Sequence, residues 1–250
     1  MSPLPSRDRP VLLLGAGSDI AQALAHAFAR AGHPIQLAGR QPEALATVKA
    51  DIEVRYRVPV SLHRFDALVT GGHRAFMQAL QPPPHIVISA IGLLGEQARS
   101  ETDPQAAELV MRSNYIGPCL ALEAAAELLR GIDGPTAIVG ISSVAGDRGR
   151  AQNYYYGSAK AGFTQFLSGL RQRLSRSQVQ VLTVKPGFVR TKMTAGMPLP
   201  GALTSTPEAL AERVKRALER KRHVIYSAKW RTVMTIVRAI PEGIFKNMRF

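Results

Sequence analysis

A phenol and an ammonium stand one helical turn apart in the middle of this chain. They are Tyr156 and Lys160, at the end of the run S-S-V-A-G-D-R-G-R-A-Q-N-Y-Y-Y-G-S-A-K from Ser142 to Lys160. A spacing of four puts both side chains on one helix face. A cation near a phenol favours the phenolate, so the sequence predicts a Tyr156 pKa that falls towards working pH. Such a tyrosine can pass a proton to or from a substrate oxygen. Ser143 ends an apolar run, Ala137 to Ile141, that reads as a buried strand, and its hydroxyl can hold the same oxygen. Tyr154 and Tyr155 compete for the tyrosine role, but only Tyr156 has a lysine four residues on. A Y-x-x-x-K alone is as readily a solvated helix face. What gives it weight is its place after a strand ending in Ser-Ser, in a chain that begins with a nucleotide-type loop.

That loop is G-A-G-S-D-I-A, Gly15 to Ala21, between an apolar strand at Val11–Leu14 and an Ala- and Leu-rich helix reaching Arg30. Strand, glycine turn and helix together make a dinucleotide cradle, with backbone amides and a helix N-terminus turned to a pyrophosphate. Gly15, Gly17, Ser18, Asp19 and Ile20 are the candidate contacts. Asp19 stands where many such loops carry glycine; it either caps the helix or lies awkwardly close to phosphate. A second strand, Pro34 to Ala38, ends at Gly39-Arg40. No acid is offered there for a ribose diol. Arg40 is instead either a fork for a 2′-phosphate or an exposed arginine at a helix start. A third strand, Val60 to Phe65, runs into Asp66-Ala67, where the acid either meets an adenine amine or caps a helix.

A fourth strand, His85 to Ala90, ends at Ile91-Gly92, so Ala90 and Gly92 also face the expected cleft. Asn114, a poor helix former in mid-helix, needs a local kink or a bound water to explain it. A sixth strand, Val179 to Val184, leads into K-P-G-F-V-R-T, placing Pro186, Gly187, Val189 and Thr191 at the ligand crevice. Thr194 to Thr206 reads as a substrate lid. A charged helix, Glu208 to Arg222, and a seventh strand, Val224 to Ser227, complete the domain. The expected architecture is α/β: a three-layer Rossmann fold with a doubly wound, seven-stranded parallel sheet, one domain over 1–227. A basic amphipathic extension follows over 228–250.

Composition bounds the function. The 250 residues carry a formal charge of +14 and one cysteine, Cys119, which fits a reducing cytoplasm. The short apolar stretch behind Met1–Pro10 turns directly into the glycine loop and reads as a strand rather than a signal peptide. No apolar run is long enough to span a membrane. The scattered histidines give no metal-ligand spacing. The charge suggests an anionic partner. Nucleic acid is disfavoured, because no recognised motif is present and no aromatics interleave the basic runs. From Glu208 onward, eleven Lys or Arg face four Glu, a net +7. Within that segment Trp230, Val233, Met234, Val237 and Ile240 share a helical face flanked by Lys229, Arg231 and Arg238. The stripe reads either as a peripheral anchor on anionic membrane or as packing on the chain's own core or a partner subunit.

Taken together, Gly15 to Ala21, Asp66, Asn114, Ser143, Tyr156-x-x-x-Lys160 and Pro186-Gly187 through Thr191 give the chain a resemblance to the short-chain dehydrogenase/reductase family over nearly its whole length. The resemblance implies hydride transfer at a carbonyl or alcohol. Tyr156 would be the acid/base, Lys160 would tune it and hold a ribose, Ser143 would orient the carbonyl, and Asn114 would hold a relay water. Arg40 implies NADP(H), with NAD(H) second. Ser89-Ala90-Ile91-Gly92 departs from the family's usual Asn-Asn-Ala-Gly. Within the family, G-D-R-G-R at Gly146–Arg150, the crowded tyrosines and G-F-V-R-T-K-M-T at Gly187–Thr194 resemble the decaprenylphosphoryl-2-keto-ribose reductase group. That implies a lipid-linked keto-pentose as substrate, with Arg148 and Arg150 on its phosphate unless they serve as loop salt bridges. The alternatives are a reductase of a soluble ketone or a 3-ketoacyl chain, and a non-catalytic dinucleotide-binding regulator. A cytoplasmic homo-oligomer, peripheral on the inner face of the membrane, is the expected assembly.

Overall fold

In a computed structural model, residues 8–227 and 229–248 are described; Met1 to Arg7, Ala228, Arg249 and Phe250 lie outside the described residues. Seven parallel strands form one sheet: β1 Val11–Leu14, β2 Ile35–Gly39, β3 Val60–Arg64, β4 Ile86–Ser89, β5 Thr136–Ile141, β6 Val179–Lys185 and β7 Val224–Tyr226. Their order is β3-β2-β1-β4-β5-β6-β7. The direction of strand progression reverses between β1 and β4, and a crevice opens there at the strands' C-terminal ends. Strand ends differ from the sequence reading by one residue: β3, β4 and β7 stop earlier, β2 and β6 run one residue further, and β5 begins one residue sooner.

The continuous apolar strands are explained by burial on both faces. Val11 and Leu13 point into one core with the helices Asp19–Arg30 and Pro207–Glu219. Leu12 and Leu14 point into the other, with Gly117–Arg130 and Tyr154–Arg173. This period of two inside an unbroken apolar run gives the three layers.

Two glycines decide how closely the Ser143 turn approaches the helix of Tyr156 and Lys160. A Cβ on Gly146 would sit 2.7 Å from Ala161 N and 2.8 Å from Lys160 C, and one on Gly157 would sit 2.8 Å from Ala145 O. The turn after Ser143 therefore lies backbone to backbone against the helix that carries Tyr156 and Lys160. Backbone atoms cannot yield as a side-chain tip can. Gly146→Ala should therefore push the two apart, lowering stability by roughly 1–3 kcal/mol and activity by more than the unfolded fraction accounts for. Urea denaturation paired with turnover measures both; an unchanged midpoint would show that the contact is not tight.

Candidate active site

The strands' C-terminal ends surround a cleft of about 280 Å³. The glycine loop, Ala90–Gly92, Ser143, Tyr156, Lys160, the Pro186–Thr191 turn and Trp230 line it. Ser143 stands at the end of β5, its Oγ accepting from Ala145 N at 3.1 Å and so capping the short turn Val144–Gly146. Its neighbour Ser142 is used structurally, donating to Lys160 O at 3.0 Å and pairing with Thr164 Oγ1 at 2.7 Å. Lys160 is buried, and its Nζ donates to Ile141 O at 3.1 Å and Ile91 O at 3.3 Å. Nζ lies 5.7 Å from the Tyr156 ring centroid.

The electrostatics differ from the sequence expectation. Burial raises the Tyr156 pKa rather than lowering it, and a hydrogen bond with Ser143 pulls part of that shift back. Lys160 is itself desolvated, which brings its pKa from 10.5 down to about 8. Desolvation sets the direction for both groups, because burial disfavours the charged form of each, the phenolate and the ammonium.

Asn114 sits in a π-helical turn, Arg112–Ile116, and is fully buried. Its Nδ2 donates to Leu93 O at 2.6 Å and Val110 O at 2.8 Å, and Oδ1 accepts from Leu93 N at 3.2 Å. The π turn is thus the kink that accommodates the residue, a device frequent at functional sites. A Cβ on Gly92 would lie 3.1 Å from Asn114 Oδ1 and 3.3 Å from Lys160 Nζ. Gly92 keeps the space between the amide and the ammonium clear.

The glycine loop fits a dinucleotide. Gly15 has φ +80, and a Cβ there would press on Ala90 and Ile91 at 3.1 Å. Gly17 is open on its free side. Ser18, not Asp19, is the N-cap, accepting from Ala21 N at 3.1 Å. Asp19 is the first helical residue; its Oδ2 accepts from Lys192 N at 2.6 Å, and Lys192 Nζ lies 3.8 Å from Oδ1. The acid that looked awkward for a phosphate is therefore turned towards the lid. Ile20, Ala90, Pro186, Gly187, Val189 and Thr191 also line the cleft. Asp66 and Ala67 do not; Asp66 Oδ1 accepts from Leu68 N at 2.9 Å in a tight turn. Arg40 is exposed at the end of β2.

The two loop arginines separate. Arg150 lines the cleft, where burial lowers its pKa, and it has no ionic partner among the described residues. Arg148 faces away, donating to Glu242 Oε2 at 2.6 Å and Arg238 O at 3.3 Å and covering the Phe245 ring at 4.1 Å. The terminal stripe is turned inward. Trp230 and Met234 are buried with Val144, and Val233 and Val237 pack beside them. No described helix is long and apolar enough to cross a membrane.

Several residues around the cleft, though not lining it, escaped the sequence reading. Arg64 pairs in register with Gly39, which places it beside Arg40 at the sheet's edge. Ser227 Oγ accepts from Gly187 N at 2.9 Å and fixes the Pro-Gly turn. Lys185 Nζ reaches Asp147 Oδ1 at 2.5 Å, and Tyr226 Oη donates to Asp147 Oδ2 at 3.0 Å, a buried cluster under the Ser143 turn. Only parallel-strand register could have revealed Arg64. The others depend on residues brought together from distant parts of the chain.

A family model described as short chain dehydrogenase matches residues 9–199. An uncharacterized oxidoreductase of Mycobacterium tuberculosis is 35% identical over 244 residues, covering 96% of each chain. One from Streptomyces coelicolor is 34% identical over 251 residues, again with 96% of each covered. Among solved structures, a short-chain dehydrogenase from Sphingobium yanoikuyae in complex with NADPH aligns over 96% of both chains at 22% identity, with a TM-score of 0.78. A Burkholderia cenocepacia short chain dehydrogenase in complex with NADP aligns over 98% of this chain and 100% of its own at 20% identity, with a TM-score of 0.82. At these identities the structural matches speak for the fold.

Proposed function

This chain belongs to the short-chain dehydrogenase family and is an NAD(P)-dependent oxidoreductase, and we propose that it works as a ketone reductase with NADP(H) preferred to NAD(H). The observation that carries the reading is the set of Ser143, Tyr156 and the buried Lys160 lining one cleft with the glycine cradle. Bound there, the dinucleotide supplies the hydride that the carbonyl carbon receives. Burial holds the proton on Tyr156 Oη, which suits a group that must give it to a carbonyl oxygen. Ser143 Oγ orients that oxygen. The Lys160 ammonium, present below about pH 8, stabilises the phenolate left behind. Asn114 Oδ1 and Lys160 Nζ flank the open space at Gly92, where a water can return a proton to the site.

Arg40 and Arg64 support the cofactor preference. Both are exposed at neighbouring strand ends, and neither has an ionic partner among the described residues. Two guanidinium groups at the adenosine end favour a 2′-phosphate.

For the substrate, the unpaired Arg150 in the cleft supports an anionic ketone, and a keto-pentose carried on a polyprenyl phosphate is the finer reading. Peripheral attachment to anionic membrane would have to use the outward residues Ile236, Ile244 and Met248 with nearby cations, since the stripe itself is spent on the core. That burial favours a second reading, a soluble ketone. Exposed Leu109, Tyr115, Ile116 and Leu120 support a homo-oligomer paired through those helices. Light scattering followed by co-sedimentation with anionic vesicles reads both points. A protein left in the supernatant at low salt sinks the membrane idea, and a monomer sinks the assembly.

The reductase reading is tested by NADPH oxidation with a ketone. Tyr156→Phe should lower kcat by about two to four orders of magnitude while NADPH still binds. Replacing Arg40 and Arg64 together by Ala should erase the preference for NADPH over NADH. Unchanged turnover in Tyr156→Phe would end the proposal.

A further inference from the structure

The helix Trp230–Ala239, which a short helix Glu242–Phe245 follows, is held at both ends by loops of the cleft. At its start, the buried Trp230 indole Nε1 donates to Leu203 O at 2.7 Å, gripping the far end of the lid. The ring meets Phe188 edge-on, with centroids 5.5 Å apart. Gly187 has to be glycine for this arrangement, because any Cβ would run into the indole. At and just beyond the helix's other end, Arg148 from the loop that begins at Ser143 clamps Arg238 O together with Glu242 and Phe245 of the next short helix. Trp230 is thus 5% exposed, rigidly held on two sides, and still lines the cleft with Ser143 and Tyr156.

We propose that Trp230 is a specificity-determining wall of this cleft, limiting how wide a substituent the reacting ketone can carry. This rests on the reductase reading and deepens it. The substrates admitted are ketones whose larger arm is a single ring or a chain; fused bicyclic ketones meet the indole. A large aromatic ring locked by one hydrogen bond and one glycine cannot swing aside as a methionine can. Exposed Met193, just before the lid, and Met197 within it, which also line the cleft, supply the adaptable side.

The test uses parent enzyme, Trp230→Ala and Trp230→Phe with NADPH, and cyclohexanone and 1-decalone as ketones. Trp230→Ala should shift the ratio of kcat/KM values towards 1-decalone by about tenfold or more, with Trp230→Phe in between. The KM for NADPH should stay within about threefold, less than the tenfold that one misplaced contact costs. Equal losses on both ketones, or an NADPH KM that moves with them, would make Trp230 a structural residue only. Trp230 is the one tryptophan of the chain, so its emission reports this wall directly even if Trp230→Ala does not fold. Cyclohexanone added to the parent with NADP+ should change that emission. If the parent reduces neither of these neutral ketones, the reductase reading is decided by NADPH oxidation with an anionic ketone instead. The wall is then judged by emission alone, and a spectrum unmoved by cyclohexanone up to its solubility limit overturns it.

Discussion

A buried ammonium holds the centre of this molecule together. Lys160 Nζ donates to the carbonyls of Ile141 and Ile91, tying the ends of the central strands β5 and β4 to the helix that carries Tyr156. Taking that charge out of water is costly. A pKa brought from 10.5 to about 8 corresponds to a penalty on the charged form of roughly 3 kcal/mol. Since the folded pKa lies below the unfolded one, the unfolded chain keeps the proton between those values, and this group's contribution to stability improves as pH rises across that window. Part of that cost is offset by the two carbonyls to which the ammonium donates. Tyr156, Ser143, Asn114 and Gly92 are arranged around that fixed point.

Much of this could be read in the sequence. Strands buried on both faces are written as apolar runs, and the Tyr-Lys spacing survives any detail of tertiary structure. Asn114 was recognisable as an anomaly because its helix propensity is poor, and the π turn accounts for it. What sequence could not supply was the competition between neighbours. Proximity of a cation to a phenol argued for a lowered Tyr156 pKa, but burial of both groups reverses the direction. Arg148 and Arg150 are near-identical in sequence context. One is claimed by Glu242 and Phe245 and the other is left facing the cleft, a difference decided by residues more than ninety positions away.

The basic tail shows the same lesson in energetic terms. An apolar stripe flanked by cations describes a membrane helix and a docked helix equally well, because both bury one face. Here Trp230 and Met234 find Val144 and Phe188, and Arg148 finds an acid and a ring on the tail. The tail is joined to the cleft by the loops that carry Arg148 and Leu203. Its cations Lys229, Arg231, Arg238 and Lys246 are left exposed on the outside.

The most direct test of the account is the fate of the hydride. Parent enzyme given a ketone and NADPH deuterated at the transferring C4 position should return an alcohol carrying one deuterium on the carbinol carbon, at a rate matching NADPH consumption. An alcohol without deuterium, or NADPH consumed with no alcohol formed, would contradict it.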